Sequence, residues 1–282
     1  VVGDGVTLTA LMIAAARAIE THRPDSLARD DSAEHFVRAA PASANWPVHP
    51  RDVPDGEANP LWGRLARYFG LRTRMLDDVV LAAGNRQAVL LGAGLDARAF
   101  RLDWPPDSVV FELDQAPVLA FKQQVLDSLG AHPRVTRRPV TADLRDDWAR
   151  LLPGFQPGEP TTWLAEGLLL YLPADAERRL IDTVDRLSAP GSTLAYEVKL
   201  IREHPAVRDS PVYTSTKAQT GIDLLALFDD EPRPDSVADL TARGWTTRVH
   251  TPFDFTHHHG RGPLPEPYDA LAANRWVTAT KP

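Results

Sequence analysis

Two glycines one residue apart, Gly92-Ala93-Gly94, end the apolar run Val89-Leu90-Leu91, and a segment able to begin a helix follows them. Glycine has no Cβ, so backbone can pass close beneath a bound molecule, and amides at a helix start then face that molecule. Further along, a second β-rich run, Val109-Val110-Phe111-Glu112-Leu113-Asp114, ends in acids. A carboxylate roughly twenty residues after such a turn suits the hydroxyls of a ribose. Together the two features indicate a site for an adenosine-type cofactor.

The glycine pattern narrows the choice. A dinucleotide turn uses Gly-x-Gly-x-x-Gly, whose third glycine allows close helix–strand packing. Here no third glycine follows, and no Gly-Lys-Ser/Thr marks a phosphate loop. S-adenosyl-L-methionine (SAM) needs no phosphate cradle and remains the leading cofactor, with S-adenosyl-L-homocysteine (SAH) as its product. A nicotinamide dehydrogenase and a non-catalytic SAM-binding module stay as alternatives, and Gly92 and Gly94 also suit a purely structural turn.

The elements that would position these groups are visible as a change of rhythm. Helical spacing places Leu8, Leu11, Met12, Ala15, Ala16 and Ile19 on one face over 7–20, with further helices expected over 31–39 and 61–82, the last broken at Gly70. The proline-rich stretch 40–60 reads as a loop. From Gln87 onward strands alternate with helices. Strands are expected near 87–92, 108–113, 134–140, 161–166, 192–198, 245–251 and 274–280, with helices near 115–129, 144–152, 173–188 and 235–243. This predicts an α/β, Rossmann-like fold: a seven-stranded, mostly parallel sheet with helices on both faces. The segment 252–267, read as a loop, is too short for a crossover helix, so the last strand is expected to be antiparallel. The domain reading is an N-terminal helical cap or lid over 1–85 and a SAM-binding α/β domain over 86–282. An insertion at about 199–230 would roof the acceptor site.

Bulk properties exclude several classes. With 43% apolar and 24% charged residues, the 282-residue chain has the composition of a globular protein with a substantial core. A net charge of −7 without blocks of like charge argues against a nucleic-acid surface. Cysteine is absent, which removes disulfides and thiolate chemistry. No apolar run nears the ~20 residues of a membrane span and no signal pattern opens the chain, so cytoplasmic is the expectation.

At this depth the motifs resemble a known family. Leu91-Gly-Ala-Gly-Leu-Asp-Ala-Arg-Ala-Phe-Arg-Leu102 is similar to the first motif of the leucine carboxyl methyltransferase family, which includes tetracenomycin-type O-methyltransferases of natural-product pathways. Phe111–Asp114, Ala142-Asp-Leu-Arg145, Leu164–Leu172, Leu71-Arg-Thr-Arg74, Thr9–Arg17 and Gly244-Trp245 agree in order and spacing. The resemblance implies a class I SAM-dependent methyltransferase of bacterial secondary metabolism, acting on a small molecule. A carboxylate or hydroxyl acceptor is favoured, with N- or C-methylation open. It further implies that Gly92, Ala93 and Gly94 lie under the methionine part of SAM and that Arg72 holds its carboxylate, with Arg74 the alternative. Asp114 would take the ribose hydroxyls with Glu112 nearby, and Asp143 and Leu144 would hold the adenine. Glu166 would face the amino group, in keeping with an acid that ends an apolar strand at the sheet's C-terminal edge.

Other side chains stand beside this set. His204 and Tyr213 lie in the insertion and are the acid–base candidates, and Tyr171 is a candidate acceptor-pocket wall. Asp143-Leu144 would equally suit a helix cap. His257-His258-His259 invites a metal reading, but consecutive loop residues do not converge on one ion, so no metal is expected.

Overall fold

The computed structural model describes residues 5–199, 205–229 and 231–282. The sheet has seven strands: β1 (Gln87–Leu91), β2 (Val109–Asp114), β3 (Thr136–Thr141), β4 (Thr161–Ala165), β5 (Thr193–Lys199), β6 (Thr246–His250) and β7 (Asn274–Thr280). Their order is β3-β2-β1-β4-β5-β7-β6. The first five run parallel, and β7 inserts antiparallel between β5 and β6. The chain thus begins at β1 in mid-sheet, winds outward to β3, and returns beside β1 as β4. Loops leaving β1 and β4 depart in opposite directions, which opens a crevice at their C-terminal ends.

Both faces of the sheet are covered, and this is why β1 and β4 are buried along their whole length, apolar from Ala88 and from Trp163 onward. Alternate residues feed separate cores. Leu90, Val110, Leu164, Ala195 and Trp276 join the N-terminal helices, whereas Val89, Leu91, Phe111, Trp163 and Leu194 join the helices of the opposite face. The helices are α1 (Gly5–Thr21), α2 (Ala33–Ala39), α3 (Ala66–Ala83), α4 (Arg98–Arg101), α5 (Ala116–Ser128), α6 (Ala174–Leu187), α7 (Pro211–Thr220), α8 (Leu224–Leu227), α9 (Ser236–Ala242) and α10 (Pro252–His259). α1 packs on α2 and α3, and α3 reaches β4 and β5, so the N-terminal helices close over the crevice end of the sheet.

Three local expectations are corrected. Gly70 does not break the third helix: α3 runs straight through it, and a Cβ there would meet Glu20 Cγ and Cδ at 2.9 Å. The glycine serves the close approach of α1. The irregularity lies earlier, in a π-helical segment, Pro60–Leu65, where Asn59 Oδ1 accepts from Leu61 N at 3.0 Å and Trp62 N at 2.8 Å. The helix expected over 144–152 is only a 3-10 turn, Ala149–Leu151, beside Trp148, which is buried against Trp163 at 6.3 Å between ring centroids. Residues 257–259 end helix α10 rather than sit in a loop. Its N-terminus is a capping box of Thr251 and Asp254 with Pro252 at the first turn, and Gly260 ends it at φ 66°.

Candidate functional site

A cavity of about 250 Å³ occupies the crevice beyond β1, β2 and β4. Gly92 and Gly94 line it with φ of 65° and 46°, a region costly for residues with a Cβ. A Cβ on Gly92 would sit 3.0 Å from Leu168 Cδ1. Ala93 N donates to Leu113 O at 2.9 Å, and Gly94 N donates to Asp114 Oδ2 at 2.6 Å, so the turn is tied to the end of β2. Gln115 N donates to the other Asp114 oxygen at 2.7 Å. Burial raises the Asp114 carboxyl, and these two amides oppose that shift.

Asp143 and Leu144 form the far wall, Leu144 buried and Asp143 half-buried. Asp143 accepts from Arg145 N at 3.0 Å and Nε at 2.9 Å, and the Arg145 hydrogen bond holds it below the usual carboxylate value. The local backbone bond belongs to a turn, since no α-helix follows.

At the opposite end lies a cluster of charge. Arg72, from buried α3, places Nε 3.1 Å from Glu166 Oε1 and sets Nη1 against Glu197 Oε2. Its Nη2 also lies 3.1 Å from Glu166 Oε1, yet this buried nitrogen makes no hydrogen bond of acceptable geometry. Arg98 Nη1 donates to Glu166 Oε2 at 2.7 Å and also meets Asp96, while its Nε donates to Asp77 at 2.7 Å. Burial alone would raise the Glu166 carboxyl. The guanidinium groups of Arg98, Arg72 and Arg17 outweigh it and hold the carboxyl far below its ordinary value. Arg74, the alternative to Arg72, is half-buried on α3, where Asp78 takes its Nε at 2.9 Å, and it does not line the cavity.

Sequence reasoning missed Arg17, Asp96 and Arg98, all of which line the cavity or brace it. Arg98 stood inside the quoted motif, but its 68-residue reach to Glu166 leaves no local signal. Glu112 is the reverse case. Expected near the cofactor, it is fully buried away from the cavity lining, with Lys122 Nζ at 2.8 Å and Arg137 Nη2 at 2.7 Å. It braces β2 against α5 and β3.

A second, smaller chamber of about 60 Å³ adjoins the first and shares Ile13, Arg72, Gly167 and Tyr171 with it. Its walls include Tyr68, Phe69, Tyr171, Tyr213 and Phe228, with Glu197, Lys199 and Asn274 as polar members. Tyr171 faces both spaces. Burial raises its phenol, against a hydrogen bond with Thr9 and the nearby Arg72 charge. Tyr213 OH accepts from Lys199 Nζ at 2.8 Å. His204 lies outside the described residues. Among the described residues no group of His, Asp or Glu is arranged to hold a metal ion, and no helix is long and apolar enough to cross a membrane.

Residues 10–185 match the family model described as leucine carboxyl methyltransferase. A Streptomyces coelicolor protein named "Putative S-adenosyl-L-methionine-dependent methyltransferase" is 65% identical, over 99% of this chain and 94% of its own. A Saccharopolyspora erythraea protein of the same name is 45% identical, over 99% and 96%. In fold, the chain is similar to a solved DUF574-family protein from Streptomyces avermitilis, with a TM-score of 0.51, 17% identity, and 88% of this chain and 97% of that one covered.

Proposed function

The chain belongs to the leucine carboxyl methyltransferase family and is a SAM-dependent methyltransferase, and from that premise we propose that it methylates a small molecule at oxygen, in bacterial secondary metabolism. Membership displaces the nicotinamide reading. The observation that carries the site assignment is the pairing of Arg72 and Glu166 at one end of the outer cavity, with Arg72 Nη2 buried and without a hydrogen bond. An amino-acid zwitterion supplies the two charges this end can receive: a carboxylate for Arg72 and an ammonium for Glu166.

The remaining residues fit the rest of SAM. Gly92, Ala93 and Gly94 offer close backbone approach, Asp114 offers a buried carboxylate to ribose hydroxyls, and Asp143 and Leu144 offer a polar edge and an apolar wall to adenine. When bound, SAM supplies a methyl group activated on a sulfonium. The protein's contribution is positional. Its walls align acceptor and donor in this reading, and the bound ligands would displace water from between them. α1 and α3 from the N-terminal region, with α7 and α8 from the insertion, act as cap and acceptor roof in this reading, since they wall the smaller chamber through Met12, Tyr68, Tyr213 and Leu224. A chamber of about 60 Å³ supports a compact acceptor and not a polypeptide end.

The test is transfer of label from methyl-labelled SAM to a host metabolite extract, with the product's mass identifying the methylated atom. A labelled small-molecule ether or ester supports the proposal, and label on protein alone contradicts it.

A further inference from the structure

We propose that Glu197, which does not line the outer cavity, tunes cofactor binding through Arg72 by taking up a proton as the carboxylate of SAM or SAH arrives; this rests on the cofactor reading above. With the site filled, Arg72 serves three carboxylates. Its Nε donates to Glu166 Oε1 at 3.1 Å, and its Nη1 donates to Glu197 Oε2. Nη2, buried and without a hydrogen bond, remains for the ligand. The nitrogen beside the one the cofactor needs is therefore tied to β5 by a carboxylate that is itself 3% exposed.

This arrangement sets two anions on one guanidinium. A like charge brought near a buried carboxylate disfavours its ionised form. The ligand's ammonium goes to Glu166 in this reading, so its charge is matched there. The groups facing Glu197 come from every packed side. Arg72 and Tyr68 stand on α3, the Trp276 indole N–H and Asn274 on β7, and Lys199 two residues along β5. Tyr171 and Tyr213 are the titratable groups on the other chamber walls, and Tyr213 OH accepts from Lys199 Nζ at 2.8 Å. Burial pushes the Glu197 carboxyl up to about 7, against the pull of Trp276 and Lys199. The Arg72 contact adds to that pull before the cofactor binds. Once the ligand carboxylate shares Arg72, this part of the pull weakens and the Glu197 carboxyl rises.

A neutral Glu197 has a place for its proton. β5 and β7 pair in the register Glu197–Trp276 and Lys199–Asn274, and Trp276 and Asn274 both donate to Tyr68 OH, so they project on one side of β7. Asn274 is 6% exposed, and its Oδ1 is buried in the chamber wall without a hydrogen-bond partner. Such a buried acceptor calls for a donor. Protonated Glu197 supplies one, directly or through a water, for which a chamber of about 60 Å³ has room. The carbonyl oxygen of the neutral carboxyl still accepts from Arg72, which stays in place. The proton comes from the buffer, and no other bond changes.

Calorimetric titration of SAH into full-length protein, in buffers of different ionisation enthalpy, counts the protons exchanged. The window is about pH 6–7.5, where α-amino groups stay mostly protonated. A rise of about one unit at Glu197 predicts a maximum uptake of about half a proton per SAH. Affinity is then greatest on the acid side and declines as pH rises through the Glu197 range. Glu197→Gln, neutral at every pH, should match the parent's affinity at the acid end and show neither the uptake nor the decline. The SAH analogue 5′-deoxy-5′-(3-aminopropylthio)adenosine keeps the amine and lacks the carboxylate. It should bind the parent without proton uptake, and this comparison decides the matter should the variant fold poorly. SAH binding to the parent without uptake, equal uptake in Glu197→Gln, or equal uptake with the analogue overturns the proposal. Failure of the parent to bind SAH overturns the cofactor reading instead.

Discussion

Arg98 donates from Nη1 to Glu166 Oε2 at 2.7 Å, across 68 residues of sequence, and so binds the helix after β1 to the loop after β4. Arg72 holds the other Glu166 oxygen. The floor of the cofactor end is therefore one ion network, not a set of independent ligands.

Glu166→Gln should lower stability by about 1–3 kcal/mol, because Arg72 and Arg98 lose a shared counter-charge while Glu197, Asp96 and Asp77 still face them. Because the folded-state pKa of Glu166 lies below its ordinary 4.5, its contribution is fully present above that value and is lost as pH falls further. Urea unfolding of parent and variant across acidic pH checks this. The difference between them should be large at neutral pH and shrink below the ordinary carboxylate range.

Gly92→Ala should cost about 1–2 kcal/mol from its left-handed backbone alone. The added methyl also meets Leu168 Cδ1 at 3.0 Å, and Leu168 lines the same cavity. Weaker SAH binding, beyond what thermal unfolding records for stability, is the expected outcome of calorimetric titration.

Asp114 and Glu112 share one strand, two residues apart, yet should behave oppositely. Asp114→Asn turns one acceptor oxygen into an amide beside the Gly94 or Gln115 N–H, and SAH affinity should fall about 10- to 100-fold. Glu112→Gln strips Lys122 and Arg137 of their partner, so unfolding free energy should drop while the folded protein keeps its SAH affinity. Paired unfolding and binding curves separate the two outcomes.

The central strands were legible because β1, β2, β4 and β5 are short runs rich in apolar residues and bounded by turn residues, with β1 and β4 buried on both faces. That Gly92, Gly94 and Asp114 would border one cavity was legible because a tight turn and a strand-ending acid are local features. Arg98, Arg17 and Glu197 were not, since each owes its place to partners 68 to 125 residues away. The surroundings of Glu112 were hidden for the same reason: its type matches Asp114, and its partners Lys122 and Arg137 lie 10 and 25 residues away. The segment 144–152 lost its helix to Trp148 packing, a tertiary effect. The α10 helix, in contrast, carried an overlooked local signal, Thr251-Pro252 followed by Asp254, beneath the more conspicuous histidines.

If Arg72 at the end of the outer cavity holds the carboxylate of SAM, calorimetric titration of SAH into the parent and Arg72→Ala will register its loss. One SAH should bind per chain of the parent, and the variant should lose about 30-fold or more in affinity, in line with about 2 kcal/mol or more for a buried charged contact. Equal affinity in the two proteins, or no binding by the parent, would contradict that role for Arg72.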